Sequence, residues 1–204
     1  MLASDGFVPA EEKDAWRLIR SMKRSTMRLE RMLIDLLDLA SARGHGLSLR
    51  FGPVDMMELL KGVLDEMSAL AAEKGVSLEG PGRMRKGLVV KGDEVRIQQI
   101  VQNLLSNAIK AAPPQGVVRV SAGRSNEHVR VSLVNPGVVM DPAIKDSLFE
   151  PFAKSAAGGY QAGAGLGLSV VDALVKAHGG SVMVTPGRKQ VTFSFAIPFW
   201  NGSS

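Results

Sequence analysis

Apolar residues recur along this chain in two rhythms, and the switch between them divides it. Over residues 11–42, Ile19, Met22, Thr26, Leu29, Leu33, Leu36 and Ala40 keep a seven-residue seam spacing. That spacing predicts one long amphipathic helix, ended by the glycine-rich run ARGHG, whose seam is too apolar to be left in water and requires a partner helix. A second helical pattern covers 55–74, after which VSLEG and GLVVKG read as short strands on either side of a Pro/Gly turn. A third helix begins behind Asp93, a plausible N-cap, and stops at Pro113-Pro114; Ile97, Ile100, Val101, Leu104, Leu105 and Ala108 form its apolar stripe. Alternating strands follow at 117–122 and 129–134, then a short helix near 143–148, an Ala/Gly-rich stretch and a helix over 166–178. The chain closes on an antiparallel hairpin of 181–185 with 191–197. This order predicts an α+β fold: a two-layer α/β sandwich with a mixed sheet, helices over one face, preceded by the long amphipathic helix.

Bulk composition narrows the class. A length of 204 residues suits one core of ordinary size plus an appendage. Hydrophobic content of 45% and charged content of 22% are globular values, and no apolar run approaches the roughly 20 residues that span a bilayer. With no cysteine there is neither a disulfide framework nor a thiolate metal site. The opening MLASDGF has no charged n-region or long apolar core, so no secretory signal is expected. The net charge of +5 is concentrated early, where Arg17, Arg20, Lys23, Arg24, Arg28 and Arg31 line the outer faces of the long helix. A solvated helix face is preferred there to nucleic-acid binding, because Trp16 is the sole aromatic on that helix and no stacking platform is evident.

Chemistry enters with NLLSNAIK, residues 103–110. At about 100° per residue, Asn103, Asn107 and Lys110 fall in a narrow arc, with the apolar stripe on another face, so two amides and an ammonium emerge together where they can hold a metal and phosphates. Taken alone, two Asn at this spacing are more often a solvated face than a site. A second element, GAGLGL at 163–168, lies immediately before a helix built on Val171, Leu174 and Val175. Glycines let backbone approach an anion, and a helix N-terminus supplies free N–H groups and about half a positive charge. The preceding AKSAAGGYQA has almost nothing to bury and reads as a lid, with Lys154 near its hinge able to reach a terminal phosphate. In VSLVNPG a strand runs into a turn, with Asn135 at its end and Gly137 two residues on; an ordinary Asn-Pro turn is the competing reading. In LFEPF, Phe149 and Phe152 are expected to pack the base of the lid.

Taken in order, NLLSNAIK, VSLVNPG, FEPF and GAGLGL resemble the four nucleotide-binding boxes of sensor histidine kinases. HGGSV followed by VTFSFAIP is similar to that family's closing hairpin, and RLERMLIDLLDLA resembles the second helix of its dimerisation and phosphotransfer domain. The resemblance implies the Bergerat, or histidine kinase-like, ATPase fold. It divides the chain into a partial dimerisation and phosphotransfer segment at 1–46 and an ATP-binding catalytic domain at 47–204. It also implies ATP and Mg²⁺ as ligands: Asn103 and Asn107 holding the metal and phosphate oxygens, Lys110 neutralising charge, and Asn135 and Gly137 at the base. Gly163, Gly165, Leu166, Gly167 and Leu168 would offer backbone N–H groups, and Lys154 would close the lid. An oxygen-rich shell that shares water suits Mg²⁺, and phosphoryl transfer needs positioning and charge neutralisation more than covalent protein chemistry. A response regulator is the implied partner and a homodimer the implied full-length assembly. No nucleic acid and no membrane segment are expected in this chain, and the implied location is the cytoplasm, as the cytoplasmic part of a larger sensor that the family includes in membrane-bound form.

Two departures from the family pattern matter. Where the family places an Asp that accepts the adenine amino proton, this chain has Asn135, with Val139 where a second glycine is expected; weaker adenine recognition follows, since charge assistance roughly doubles a hydrogen bond. The phosphoacceptor His is also missing: His45, His128 and His178 all read as structural. The expectation is therefore a fragment of, or a short product from, a larger sensor kinase that binds nucleotide without phosphorylating itself. Two other functions compete. An ATPase of the gyrase, chaperone or mismatch-repair kind needs a water-activating Glu four residues before the second Asn, and Asn103 stands there instead. A degenerate kinase-like scaffold that binds partners, with weak or no ATP binding, is favoured by Asn135 and Val139 and opposed by the intact Asn helix and GAGLGL.

Overall fold

The computed structural model describes residues 10–44, 46–82, 87–145, 147–153, 165–200 and 202. Lys154, Gly163 and the lid segment between them lie outside the described residues, as does His45. The long helix α1 runs over Ala10–Arg43, followed by β1 (Gly52–Asp55), α2 (Met56–Glu73), β2 (Ser77–Glu79), β3 (Val89–Gly92) and α3 (Glu94–Ala111). Strands β4 (Val117–Ser125) and β5 (His128–Pro136), helix α4 (Gly167–Ala177), and strands β6 (Ser181–Pro186) and β7 (Gln190–Pro198) complete it. No helix among the described residues is long and apolar enough to cross a membrane.

Five strands form a mixed sheet in the order β2-β4-β5-β7-β6. β2 pairs parallel with β4 and every other pairing is antiparallel. Alternation decides which face is buried. Along β5, Val129, Val131, Leu133 and Asn135 point inward, while Arg130, Ser132 and Val134 do not reach full burial. In register with these, Ile197, Phe195, Phe193 and Val191 supply the matching positions of β7. Helices α2, α3 and α4 cover that inner face, with Leu60, Ile97, Ile100, Leu105, Leu174 and Phe195 at the centre of one continuous core. The opposite face is polar: Ser132 and Ser194 share a 3.0 Å hydroxyl hydrogen bond across the β5–β7 pair. A mostly antiparallel sheet with helices over one face settles naturally into this two-layer form.

The α+β sandwich expected from the sequence is present, with two local differences. VSLEG and GLVVKG are both strands as expected, and they take different partners: β2 joins the main sheet, whereas β3 pairs antiparallel with β1 in a separate two-stranded sheet. The first difference is the short helix near 143–148, which is instead two 3₁₀ turns, Pro142–Ile144 and Ser147–Phe149, the first capped by the Asp141 carboxylate on the Ala143 N–H at 2.9 Å. A segment this short cannot recover the cost of nucleating an α-helix. The second difference is Phe152, which is 63% exposed rather than packed inward.

Among the described side chains of α1, burial is confined to the last turns, at Asp35, Asp38 and Leu39. The seam residues Ile19, Met22, Leu29, Leu33 and Leu36 are exposed, so the apolar stripe read from the sequence has no cover among the described residues.

Candidate nucleotide site

Helix α3 is held at its start by a well-connected cap. The Asp93 carboxylate accepts the backbone N–H of Arg96 at 3.2 Å and that of Arg50 at 2.9 Å. The Asp93 N–H in turn donates to Nε2 of the buried His178, whose Nδ1 is bonded to the Leu174 carbonyl at 2.7 Å. His178 is therefore the tie between the end of α4 and the start of α3, in keeping with the structural role expected for it. Burial pushes the Asp93 carboxyl up, but the N–H groups of Arg50 and Arg96 and the Arg96 charge outweigh it and hold it below its ordinary value. Gly92 makes room for this junction: a methyl group there would run into Ile97 Cδ1 and come within 3.1 Å of the His178 ring.

With its apolar stripe sunk in the core, α3 presents its amides in a graded way. Asn103 is buried, Asn107 half-buried and Lys110 exposed, so the row climbs from the core to solvent over two turns. The Lys110 carbonyl accepts from Lys74 Nζ at 3.3 Å, which brings a second ammonium to this end of the helix.

Helix α4 begins directly across from that row. A Cβ placed on Gly167 would lie 3.8 Å from Asn107 Nδ2 and 3.9 Å from Asn103 Cγ. The first residue of α4 thus faces both amides, and glycine keeps the intervening space open. Leu166 is buried, precedes the helix without any side-chain cap, and its carbonyl takes the Val170 N–H and the Ser169 hydroxyl. Leu168 is half-buried beside it. A helix start without a side-chain cap suits an anion.

Gly165 has a different task. Its φ of +70° lies in the left-handed region, and a Cβ would come to 3.0 Å from the backbone of Phe152. Phe152 itself holds φ +63° and donates its N–H to the Gly165 carbonyl at 3.0 Å. The two ends of the 153–164 segment are pinned together by backbone. This explains why the Phe152 ring is not needed as packing.

Asn135 sits within β5, paired with Val191, rather than in the turn beyond it. Its side chain is 2% exposed, and Oδ1 has no hydrogen-bond partner among the described residues. A buried amide oxygen left so costs about 1–3 kcal/mol, which a simple Asn-Pro turn gives no reason to bear. Gly137, at φ +76° and bonded through its N–H to the Lys189 carbonyl, abuts Pro113: a Cβ would fall 2.8 Å from the proline ring. The strand end bearing Asn135 is thereby pressed against the end of α3.

Of the sequence-derived site residues, Asn103 and Asn107 on α3 lie across from Gly167 at the start of α4, Gly137 after Asn135 abuts Pro113 just past the end of α3, and Gly165 packs on the Phe152 backbone. Sequence reasoning missed the Arg96–Gln99–Asp38 cluster. Gln99 lies one turn before Asn103, so the same helical period could have flagged it. Among the described residues no three His, Cys, Asp or Glu side chains gather to hold a metal; the donors facing this cleft are amides and backbone N–H groups.

Residues 92–201 match the family of histidine kinase-, DNA gyrase B-, and HSP90-like ATPases. The probable sensor histidine kinase TcrY of Mycobacterium tuberculosis is 32% identical over 85% of this chain and 36% of its own length. Full-length ShkA in complex with AMPPNP superposes with a TM-score of 0.78 at 28% identity, covering 97% of this chain and 41% of that one. The histidine kinase ThkA in complex with the response regulator TrrA shares the fold, with a TM-score of 0.70 at 22% identity over 100% of this chain and 55% of that one. The chain belongs to this ATPase family and carries the nucleotide-binding catalytic domain of its two-component kinase branch. It spans well under half the length of the curated relatives it matches.

Proposed function

We propose that this chain binds Mg·ATP in the cleft between α3 and the start of α4, as the donor half of an ATP-dependent protein histidine kinase. The observation that carries the reading is the facing of Gly167 by Asn103 and Asn107 across a gap that a Cβ would begin to fill. The residues present fit the ligand: amide oxygens and water suit Mg²⁺, and the uncapped start of α4 suits phosphate. Asn103 and Asn107 would hold the metal, and a bound Mg²⁺ would neutralise phosphate charge. Gly163, Gly165, Leu166, Gly167 and Leu168 would turn backbone toward the phosphates, with Lys110 and Lys154 supplying positive charge. Asn135 and Gly137 would line the base.

In a longer protein the phosphoryl group would pass to a His that this chain does not contain. Residues 1–46 would then be the partial dimerisation and phosphotransfer segment and 47–204 the catalytic domain. The bare seam of α1 would pair in a homodimer, and a response regulator would be the downstream partner, as in the ThkA complex. The scaffold alternative has less support, because a protein-binding relic has no use for an open glycine cradle and an unpartnered buried amide. Thermal unfolding with and without Mg·ATP tests the reading. Ligand at a hundredfold excess over its dissociation constant stabilises by about 2.7 kcal/mol, and Asn107→Ala should abolish that rise; a melting temperature indifferent to nucleotide would overturn it.

A further inference from the structure

We infer that Asn135 makes the base subsite indifferent to the exchange of a 6-amino for a 6-oxo group, so that a 6-oxopurine nucleotide binds about as well as an adenine one. This deepens the nucleotide reading above and rests on it. The motivating observation is the Asn135 side chain, 2% exposed on the inner face of β5, with an oxygen that finds no hydrogen-bond partner among the described residues. Its strand partner Val191 and its same-face neighbour Leu133 are apolar, so neither offers the amide oxygen a donor. The contact of Gly137 with Pro113 holds that strand end against the end of α3, the helix that bears Asn103, Asn107 and Lys110. A polar group kept buried and unmet at the edge of a ligand cleft is explained by a ligand.

The chemistry of the group decides what it accepts. A carboxamide carries one acceptor and one donor side by side in a plane, and turning it by 180° exchanges them. Adenine offers an amino donor at position 6 beside the N1 acceptor. Hypoxanthine and guanine offer a carbonyl acceptor at position 6 beside the N1–H donor. Either pair can be matched by one orientation of the same amide. A carboxylate has acceptors only: it matches the adenine amino group and opposes a 6-oxo oxygen. Asn at this position therefore removes a discrimination that Asp would impose.

The test uses inosine triphosphate, which differs from ATP only at this edge of the base. Dissociation constants of the full chain for Mg·ATP and Mg·ITP are measured by calorimetry, with mutual competition to show a shared site. The Asn135 side-chain amide is followed by NMR, with inorganic triphosphate as the base-free control. The expected result is affinities within about fivefold of each other, and an Asn135 amide resonance moved by both nucleotides but not by triphosphate. In Asn135→Asp the preference for ATP should widen by about tenfold or more, the scale of one unmet buried polar group. ATP binding with ITP about thirtyfold weaker or worse overturns the inference and leaves the nucleotide reading intact, as does an Asn135 resonance that neither nucleotide moves. Binding of neither nucleotide overturns both. Because the wild-type ratio and the amide resonance need no variant, the inference stands or falls even if Asn135→Asp does not fold.

Discussion

Asp38, near the end of α1, accepts a hydrogen bond from Arg96 Nη1 on α3 at 2.9 Å, and the same carboxylate oxygen accepts from Gln99 Nε2, also at 2.9 Å. Arg96 and Gln99 are themselves bonded at 2.9 Å, which closes a three-membered ring of contacts. Gln99 stands one turn before Asn103, so the long helix grips the helix that carries the candidate ligands. The Asp38 side chain is 7% exposed and the Arg96 side chain 28%, so solvent screens this pair less than most.

Removing one partner of such a pair should cost more than removing both. Asp38→Ala is expected to destabilise by about 1–3 kcal/mol, since it leaves the Arg96 guanidinium half-buried without its counter-ion. Arg96→Ala added to it should recover part of that loss. Denaturant unfolding in a double-mutant cycle measures the coupling, and hydrogen exchange should show α1 as the segment that loosens.

Two glycines two residues apart, Gly165 and Gly167, should respond in opposite ways. Gly165→Ala forces a Cβ onto a residue at φ +70° and into the Phe152 backbone, and about 1–3 kcal/mol of stability should be lost. Gly167→Ala meets nothing closer than 3.8 Å and gains helix propensity, so the free protein should be unchanged or up to about 1 kcal/mol more stable. Nucleotide affinity should nevertheless fall in Gly167→Ala, because the added methyl occupies the space in front of Asn103 and Asn107. Paired melts and titrations separate the two effects.

Acid should weaken the α3 cap. The folded-state pKa of Asp93 is depressed, so its contribution to stability is fully present above the unfolded carboxyl value near ~3.9 and is lost as pH falls through the lower folded value. Asn at this position still caps a helix but does not titrate. Asn in place of Asp93 should flatten the acid limb of the stability curve below about pH 4 while costing little at pH 7. Unchanged curvature in Asp93→Asn would place the acid sensitivity elsewhere.

His178 should be replaceable by its shape only at a cost. Phe fills the volume beside Gly92 but cannot accept the Asp93 N–H or bond the Leu174 carbonyl. Loss of about 1–3 kcal/mol is expected in His178→Phe, measured by urea unfolding, from the polar groups it leaves unmet.

How much of this was legible in the sequence depended on whether the information was local. The α3 stripe, the Asp93 cap, the Pro113 stop and the glycine turn before α4 all came through, because each is set by residues within a turn or two of one another. β1 did not: the four residues GPVD contain a proline and show no alternation, and they form a strand only because β3 lies alongside. Choice of partner was equally hidden, since neither VSLEG nor GLVVKG states that one joins β4 and the other β1. Phe152 was read as packing because it is aromatic, whereas its backbone carries the contact. Asp38 with Arg96, and His178 with Asp93, are separated by 58 and 85 residues, and no periodicity reaches so far. The facing of the two candidate ligand segments was foreseen from the resemblance and from their chemistry; the distance between them came only with the fold.

The most direct check of the central claim is a titration of isotope-labelled protein with Mg·AMPPNP, following backbone and Asn side-chain amides by NMR. The account expects saturable shifts at the side chains of Asn103 and Asn107 together with the backbone amides of Gly165, Leu166, Gly167 and Leu168, all reporting one dissociation constant. Shifts confined to other surfaces, or none at millimolar ligand, would contradict it.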